Sequence, residues 1–212
     1  MEKRKAQPGS DELLRFLAPV YFFGLPGAGK SHCGRLAEQE LGYHFHDGDA
    51  WLPEDLKASL ARGEGFTPEQ RDRYAEAIVE QIAEAKAVEA AARCEAARPI
   101  AIAQATFKRR HRNMIRAVHP DLVFVWVQSG EQARLTRLRE RNHLVDEELG
   151  VRMARDFEPP QDGEECLVLQ NGVGEDPESE ADLVQRLRGL LQYRHPPSEA
   201  LPEMEQPLQC LN

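Results

Sequence analysis

The chain has 212 residues, 41% of them hydrophobic and 30% charged, and a formal net charge of -9 at pH 7. That length can bury a full core and favours one domain, and the acidic balance argues against nucleic acid as a partner while still allowing a locally basic cleft. Cys33, Cys94, Cys166 and Cys210 show neither metal-type pairs nor a short disulfide framework, Met1 to Ser10 lack an apolar secretion core, and no apolar run reaches the length of a membrane span. A cytoplasmic protein with no membrane partner is the expectation.

Residues 1 to about 9 read as a disordered lead, and Asp11 to Leu17 suit a short helix capped by Ser10 or Asp11. Pro19 stops it, and Val20-Tyr21-Phe22-Phe23 is a β-prone run, apolar throughout as in a parallel strand covered on both faces. A helix follows from Lys30 to about Glu40 with Cys33, Leu36 and Ala37 inward. Gly42 ends it, and Tyr43 to Phe45 form a second strand that runs into Asp47-Gly48-Asp49.

Pro53 opens a short helix to about Ala61. Thr67-Pro68-Glu69-Gln70 combines a threonine cap, a proline at the first helical position and a glutamine in the capping-box position. The helix it starts can reach about Ala97, with Tyr74, Ile78 and Ile82 as an inward stripe and a weaker apolar face beyond Ala83. Pro99 to Ala103 form the third strand. Lys108 to about Val118 is a helix with Met114 and Ile115 inward, and Leu122 to Val127 the fourth strand. Two helices, Glu131 to about Arg141 and Glu147 to Phe157, precede a fifth strand at Cys166 to Leu169 and a closing helix from Ala181 to Leu191.

Pro196, Pro197, Pro202 and Pro207 leave a C-terminal tail over 193–212, so the domain spans about 18–192 after an N-terminal extension, 1–17. Alternating strands and helices specify an α/β fold, a three-layer sandwich around a parallel sheet of about five strands. The strand order is not written in these features.

Between the first strand and the first long helix lies Gly24-Leu25-Pro26-Gly27-Ala28-Gly29-Lys30-Ser31, four free positions between glycines followed by Gly-Lys-Ser. Small residues let the backbone wrap a polyphosphate, so that N–H groups and the helix N-terminus face anionic oxygens. Lys30 can reach the outer phosphates and the Ser31 hydroxyl can take a magnesium position. Gly24 through Ser31, with His32 beside them, are therefore the nucleotide-binding candidates. A glycine-rich turn that binds nothing would explain neither the Lys-Ser pair nor the strand-to-helix setting.

Asp47 and Asp49 stand at the carboxyl end of a strand, where ligands gather in open α/β sheets. Two apart in an extended segment, they point the same way. Asp47 can hold magnesium through water, and Asp49 can accept a proton from an acceptor hydroxyl. The same triplet alone is also a common solvated turn.

Arg134, Arg137 and Arg141 fall on one helix face and Arg139 elsewhere. Such guanidinium forks suit a transferring phosphoryl group, though without context they are an ordinary solvated surface with Glu131 and Glu140 as partners. Lys108 to Arg112 is too short and too poor in aromatics for a nucleic-acid patch. One or two of its charges can meet an anionic acceptor, with the rest on the surface. Arg71, on its own, reads as solvent-facing. His44, His46, His111 and His143 lack metal spacing, and Trp51 is either core or a cover over an acceptor.

These motifs occur in a fixed order. The phosphate loop is followed by Asp47-Gly48-Asp49, Pro53, Gly63, Arg71, Lys108-Arg109 and Arg112 to Arg116, then Arg137-Leu138-Arg139-Glu140-Arg141 with Asn142-His143, and finally Glu158-Pro159. From Val20 to Leu191 this order resembles the gluconate kinase family within the shikimate-kinase-like phosphotransferases, with one residue deleted in the arginine-rich segment. The resemblance implies a three-layer P-loop nucleoside-triphosphate-binding fold with a helical lid over about 134–157. It also implies ATP and magnesium as cofactors, Lys30 on the phosphates, Asp49 near the acceptor hydroxyl, Arg71 on the acceptor, and Arg137 or Arg141 closing from the lid.

The departures fall around the acceptor. Family members of the gluconate type carry a histidine and an asparagine near Pro53, where this chain has Leu52 and Leu56, and Gln104-Ala105-Thr106-Phe107 replaces a Cys-Ser-Ala-Leu-like stretch. Gln104 and Lys108 join Asp49 and Arg71 as acceptor-binding candidates, with Ser31 and Asp47 as the metal candidates. Leucines remove partners that a polyhydroxylated acid would want satisfied. The expected function is ATP-dependent phosphoryl transfer to a hydroxyl of a small metabolite, gluconokinase-like with the acceptor open, by a monomer or homodimer. Two alternatives stay open. One is a nucleoside or nucleotide kinase, for which Trp51 and Phe66 hint at a stacking pocket; the other is an ATP-binding regulatory module with little transferase activity.

Overall fold

The computed structural model describes residues 17–92, 98–140, 145–172 and 179–192. The expected helix before Leu17, the proline-containing tail, Arg141 and His143 lie outside them. Five strands, β1 (Val20–Phe23), β2 (His44–Asp47), β3 (Ile100–Gln104), β4 (Val123–Gln128) and β5 (Leu167–Gln170), form one parallel sheet in the order β2-β3-β1-β4-β5. Seven helices surround it among the described residues: α1 (Lys30–Leu41), α2 (Glu54–Ala61), α3 (Pro68–Ala91), α4 (Arg109–Val118), α5 (Glu131–Glu140), α6 (Glu147–Arg155) and α7 (Glu180–Gln192). None is long and apolar enough to cross a membrane.

The two-residue period of a strand sends alternate side chains to opposite faces of the sheet. On one face Val20, Phe22, Ala101 and Val125 pack with Leu36 of α1 and with Leu183 and Leu187 of α7. On the other, Tyr21, Phe23, Ile102 and Phe124 pack with Leu56 of α2, Ile78 and Ile82 of α3, Ile115 of α4 and Leu149 of α6. Both faces are therefore covered, and every residue of β1 is buried.

α3 starts as its sequence predicts. The Thr67 hydroxyl accepts the Gln70 N–H at 3.2 Å while the Gln70 side-chain Oε1 accepts the Thr67 N–H at 2.9 Å. It ends earlier, because Ala92 takes an extended conformation (φ -62°, ψ 145°) and so breaks the run expected to reach Ala97. Val88 near this end is exposed, so little packing holds the last turns, and packing rather than propensity supplies most helix stability. α4 also differs, since its inward face is His111, Arg112 and Ile115, with Met114 only half-buried.

Candidate active site

The loop after β1 is held in a shape that only glycine accommodates. Gly24, Gly27 and Gly29 have φ of +146°, +77° and +94°. A β-carbon would run into the Val127 carbonyl at Gly24, into Arg134 at Gly27 and into Asn171 at Gly29. Side chains from α5 and from the turn after β5 then fix three of the loop carbonyls. Arg134 Nη1 donates to Pro26 O at 3.1 Å, Arg137 Nη1 to Gly27 O at 3.3 Å, and Asn171 Nδ2 to Ala28 O at 2.8 Å. Arg137 also donates to Ser129 Oγ at 2.9 Å, and Lys30 Nζ to Leu25 O at 2.9 Å.

Asp47 and Asp49 meet the loop from β2. Gly48–Trp51 is a 3-10 turn rather than extended chain, with the Asp47 carboxylate accepting the Asp49 N–H at 3.2 Å. A tight turn, not strand alternation, brings the pair together, and both residues line one cavity with Gly27, Gly29, Lys30 and Ser31. The turn is braced from behind by the Tyr74 hydroxyl, which donates to Gly48 O at 2.6 Å. Gln104 Nε2 donates to that hydroxyl and, at 3.4 Å, to Asp49 Oδ1. Burial, reinforced by the charges of Asp49 and Asp47, pushes the Tyr74 phenol far above its ordinary range and keeps it a donor.

The same cavity continues to Arg71 and the segment 104–107. Arg71 is mostly enclosed, with Nη2 2.7 Å from Asp156 Oδ2 and its guanidinium 5.3 Å from the Phe107 ring centre. Burial lowers its pKa from the ordinary guanidinium value, and the Asp156 charge opposes that shift. Behind the wall, Arg112 and Glu164 form a fully buried ion pair in which Nη2 lies 2.9 Å from Oε2. Arg112 Nη1 also donates to Thr106 O at 3.3 Å and to Phe107 O at 3.1 Å.

No family model matches the chain, and no curated protein matches it in sequence. Solved structures do. A sugar kinase from Janibacter sp. HTCC2649 matches with a TM-score of 0.68 at 20% identity, over 83% of this chain and 95% of that one. The fold is that of the P-loop small-molecule kinases. A gluconokinase from Sinorhizobium meliloti 1021 matches with a TM-score of 0.65 at 24% identity, over 84% of this chain and 95% of the gluconokinase. A shikimate kinase from Bacteroides thetaiotaomicron matches with a TM-score of 0.54 at 15% identity, over 83% and 99%.

Within this P-loop fold the candidates Gly27, Gly29, Lys30, Ser31, Asp47, Asp49, Arg71 and Gln104 share the cavity. Lys108 does not line it; its ammonium lies 3.2 Å from Glu158. His32 lies 3.6 Å from Glu180, and Arg139 pairs with Glu147 at 2.7 Å. Leu52 lines the cavity, whereas Leu56 is wholly buried in the core. Trp51 packs beside His46, ring centres 5.8 Å apart, and is not part of the cavity wall. The basic block is not mainly surface: Arg112 is buried on Glu164, His111 is buried against Asp72 at 2.6 Å, and Arg110 reaches the same aspartate. Among the described residues, no cluster of three or more His, Cys, Asp or Glu could hold a metal.

Sequence reasoning missed the roles of four contributors. Asn171 braces the loop from just beyond β5, and its place at a strand's carboxyl end was a usable signal. Ser129, similarly placed after β4, holds Arg137. Glu158 accepts the Arg109 N–H at 2.9 Å and so caps α4, whose own cap residue, Lys108, offers no side-chain acceptor. That bond and the Lys108 charge hold its carboxyl below the usual range. The fourth, Arg112, could have been suspected from sharing a helix face with His111 and Ile115.

Proposed function

We propose that this chain transfers a phosphoryl group from ATP to a hydroxyl of a small molecule, a gluconokinase-like reaction with its own acceptor. The observation that carries this reading is that one cavity is lined by the phosphate loop, by both Asp47 and Asp49, and by Arg71. The names of the sugar kinase, gluconokinase and shikimate kinase neighbours support it.

The residues fit a triphosphate. The loop is a glycine cradle that β-carbons would fill, with Lys30, Arg134 and Arg137 around it, and the Ser31 hydroxyl and Asp47 carboxylate are hard oxygen ligands suited to magnesium. Bound nucleotide supplies the transferable group, and magnesium would offset the charge on its oxygens.

The chain's own residues do the rest. Lys30 Nζ and the loop N–H groups bind phosphate oxygens, with Lys30 giving up Leu25 O. Asp49, oriented by Gln104, accepts the hydroxyl proton, so that the acceptor oxygen gains the phosphoryl group and ADP leaves. Arg137, steadied by Ser129, sets a guanidinium beside the phosphate loop to stabilise charge spreading in the transfer. Arg134, buried beneath Pro26, braces the loop.

The test is magnesium-dependent ADP release across a panel of hydroxyl compounds, with Lys30→Ala as control. Acceptor-stimulated release that disappears in Lys30→Ala supports the kinase reading. Tight nucleotide binding with no stimulation by any acceptor would instead favour the regulatory module.

A further inference from the structure

Beyond Asp49 the cavity wall is built from Leu52, Phe66, Tyr74, Ile78, Phe107 and Met153. These come from the segment after the acidic turn, the approach to α3, α3 itself, the loop after β3, and α6, so the apolar character belongs to the whole acceptor end. Rings hold it in shape. Phe66 meets Tyr74 edge-on at 6.3 Å, and Phe107 meets Phe157 edge-on at 6.0 Å.

The polar side chains in this wall already have protein partners, Arg71 on Asp156 among them. The Gln104 side chain donates through Nε2 to Tyr74 and Asp49, and its Oε1 accepts the Ala105 N–H. Tyr74 donates to Gly48 O, Thr106 Oγ1 is 2.6 Å from the Tyr21 hydroxyl, and His111 Nε2 is 2.6 Å from Asp72. The buried side-chain atoms without a hydrogen-bond partner among the described residues are His46 Nε2 and Arg109 Nε, and neither residue lines the cavity. A polyol entering here would meet one charged donor, Arg71, among walls whose other polar groups are already bonded, and would recover only part of the hydration it surrenders, whereas an apolar body matches most of the surface.

We infer that the acceptor carries its reactive hydroxyl on a largely apolar body rather than on a polyhydroxylated chain. This rests on the kinase reading and narrows it to a substrate class.

The test uses the full chain saturated with magnesium and a non-hydrolysable ATP analogue, titrated with hydroxy acids that keep one carboxylate in common. Glycerate and gluconate form the polyol arm; mandelate and 3-phenyllactate form the aryl arm. The aryl acids should bind at least about tenfold tighter than gluconate, and Phe66→Ser should shrink that gap severalfold without moving the affinity for the analogue. Gluconate binding as tightly as the aryl acids, no aryl acid binding, or a gap untouched by Phe66→Ser would each overturn the inference. Failure of the analogue to bind would instead count against the kinase reading, and the hydroxy-acid titrations without nucleotide would still decide the inference.

Discussion

Replacing Arg112 by methionine tests the buried frame behind the acceptor wall. The substitution puts an unbranched, apolar side chain in place of the cation and strips Glu164 of its hydrogen-bonded partner, leaving only Arg109 Nε at 3.8 Å, with the Arg112 and Glu164 side chains both fully buried in the native protein. It also removes the donor to Thr106 O and Phe107 O and the cation 5.0 Å from the Phe23 ring centre. Breaking one side of a buried pair costs about 3–5 kcal/mol. Against a total stability of about 5–15 kcal/mol that is a large fraction, and at roughly 2–4 °C per kcal/mol for a domain of this size the melting point should fall by roughly 6–20 °C. The double variant Arg112→Met/Glu164→Leu exchanges both charges for apolar groups and should recover most of the loss. Urea unfolding followed by tryptophan fluorescence reads both variants. A cost for Arg112→Met below about 1 kcal/mol, or a double variant no more stable than the single, would refute the reasoning.

Other consequences can be measured independently. Asp49→Asn should lower kcat by about 10²–10⁴ with little change in nucleotide affinity; turnover within a few-fold of the native rate would remove Asp49 from proton handling. Gly29→Ala forces a β-carbon onto Asn171 at a positive φ, and should weaken a fluorescent ATP analogue at least about tenfold in direct titration. Burial holds the pKa of both His46 and His111 below the ordinary 6.5, so the unfolded chain protonates first. Stability is then complete above about pH 6.5 and falls as pH drops toward 5, a slope in the urea midpoint that His46→Gln/His111→Gln should flatten. Asp72, whose carboxyl the His111 hydrogen bond draws below its ordinary 3.8, contributes stability above that value that disappears in stronger acid.

The elements were legible because burial on both faces of a parallel sheet leaves apolar runs, and because Thr67 to Gln70 carry a complete start signal in four consecutive residues. The phosphate loop was legible for a related reason: its chemistry needs contiguous residues. Strand order was not, since it depends on pairings between distant segments such as Phe23 with Gln104 and Trp126. The acidic pair was found by type and place, but the turn that presents it depends on Tyr74, whose spacing announced only a core stripe. Arg112 was obscured by basic neighbours, and its partner Glu164 is 52 residues away. Lys108 looked like an acceptor contact because Glu158, which holds it, comes from beyond α6.

The three braces on the loop also determine which way its amides face. In a trans peptide the carbonyl of one residue and the N–H of the next point to opposite sides of the same plane. With the carbonyls of Pro26, Gly27 and Ala28 drawn toward Arg134, Arg137 and Asn171, the N–H groups of Gly27, Ala28 and Gly29 are turned away from those side chains. The Ala28 N–H closes on Leu25 O at 3.1 Å, while Gly27 and Gly29 belong to the cavity wall. Freeing any one carbonyl would let its plane rotate and aim an oxygen where an anion should sit, so that the anion would be repelled by a dipole of the wrong sign.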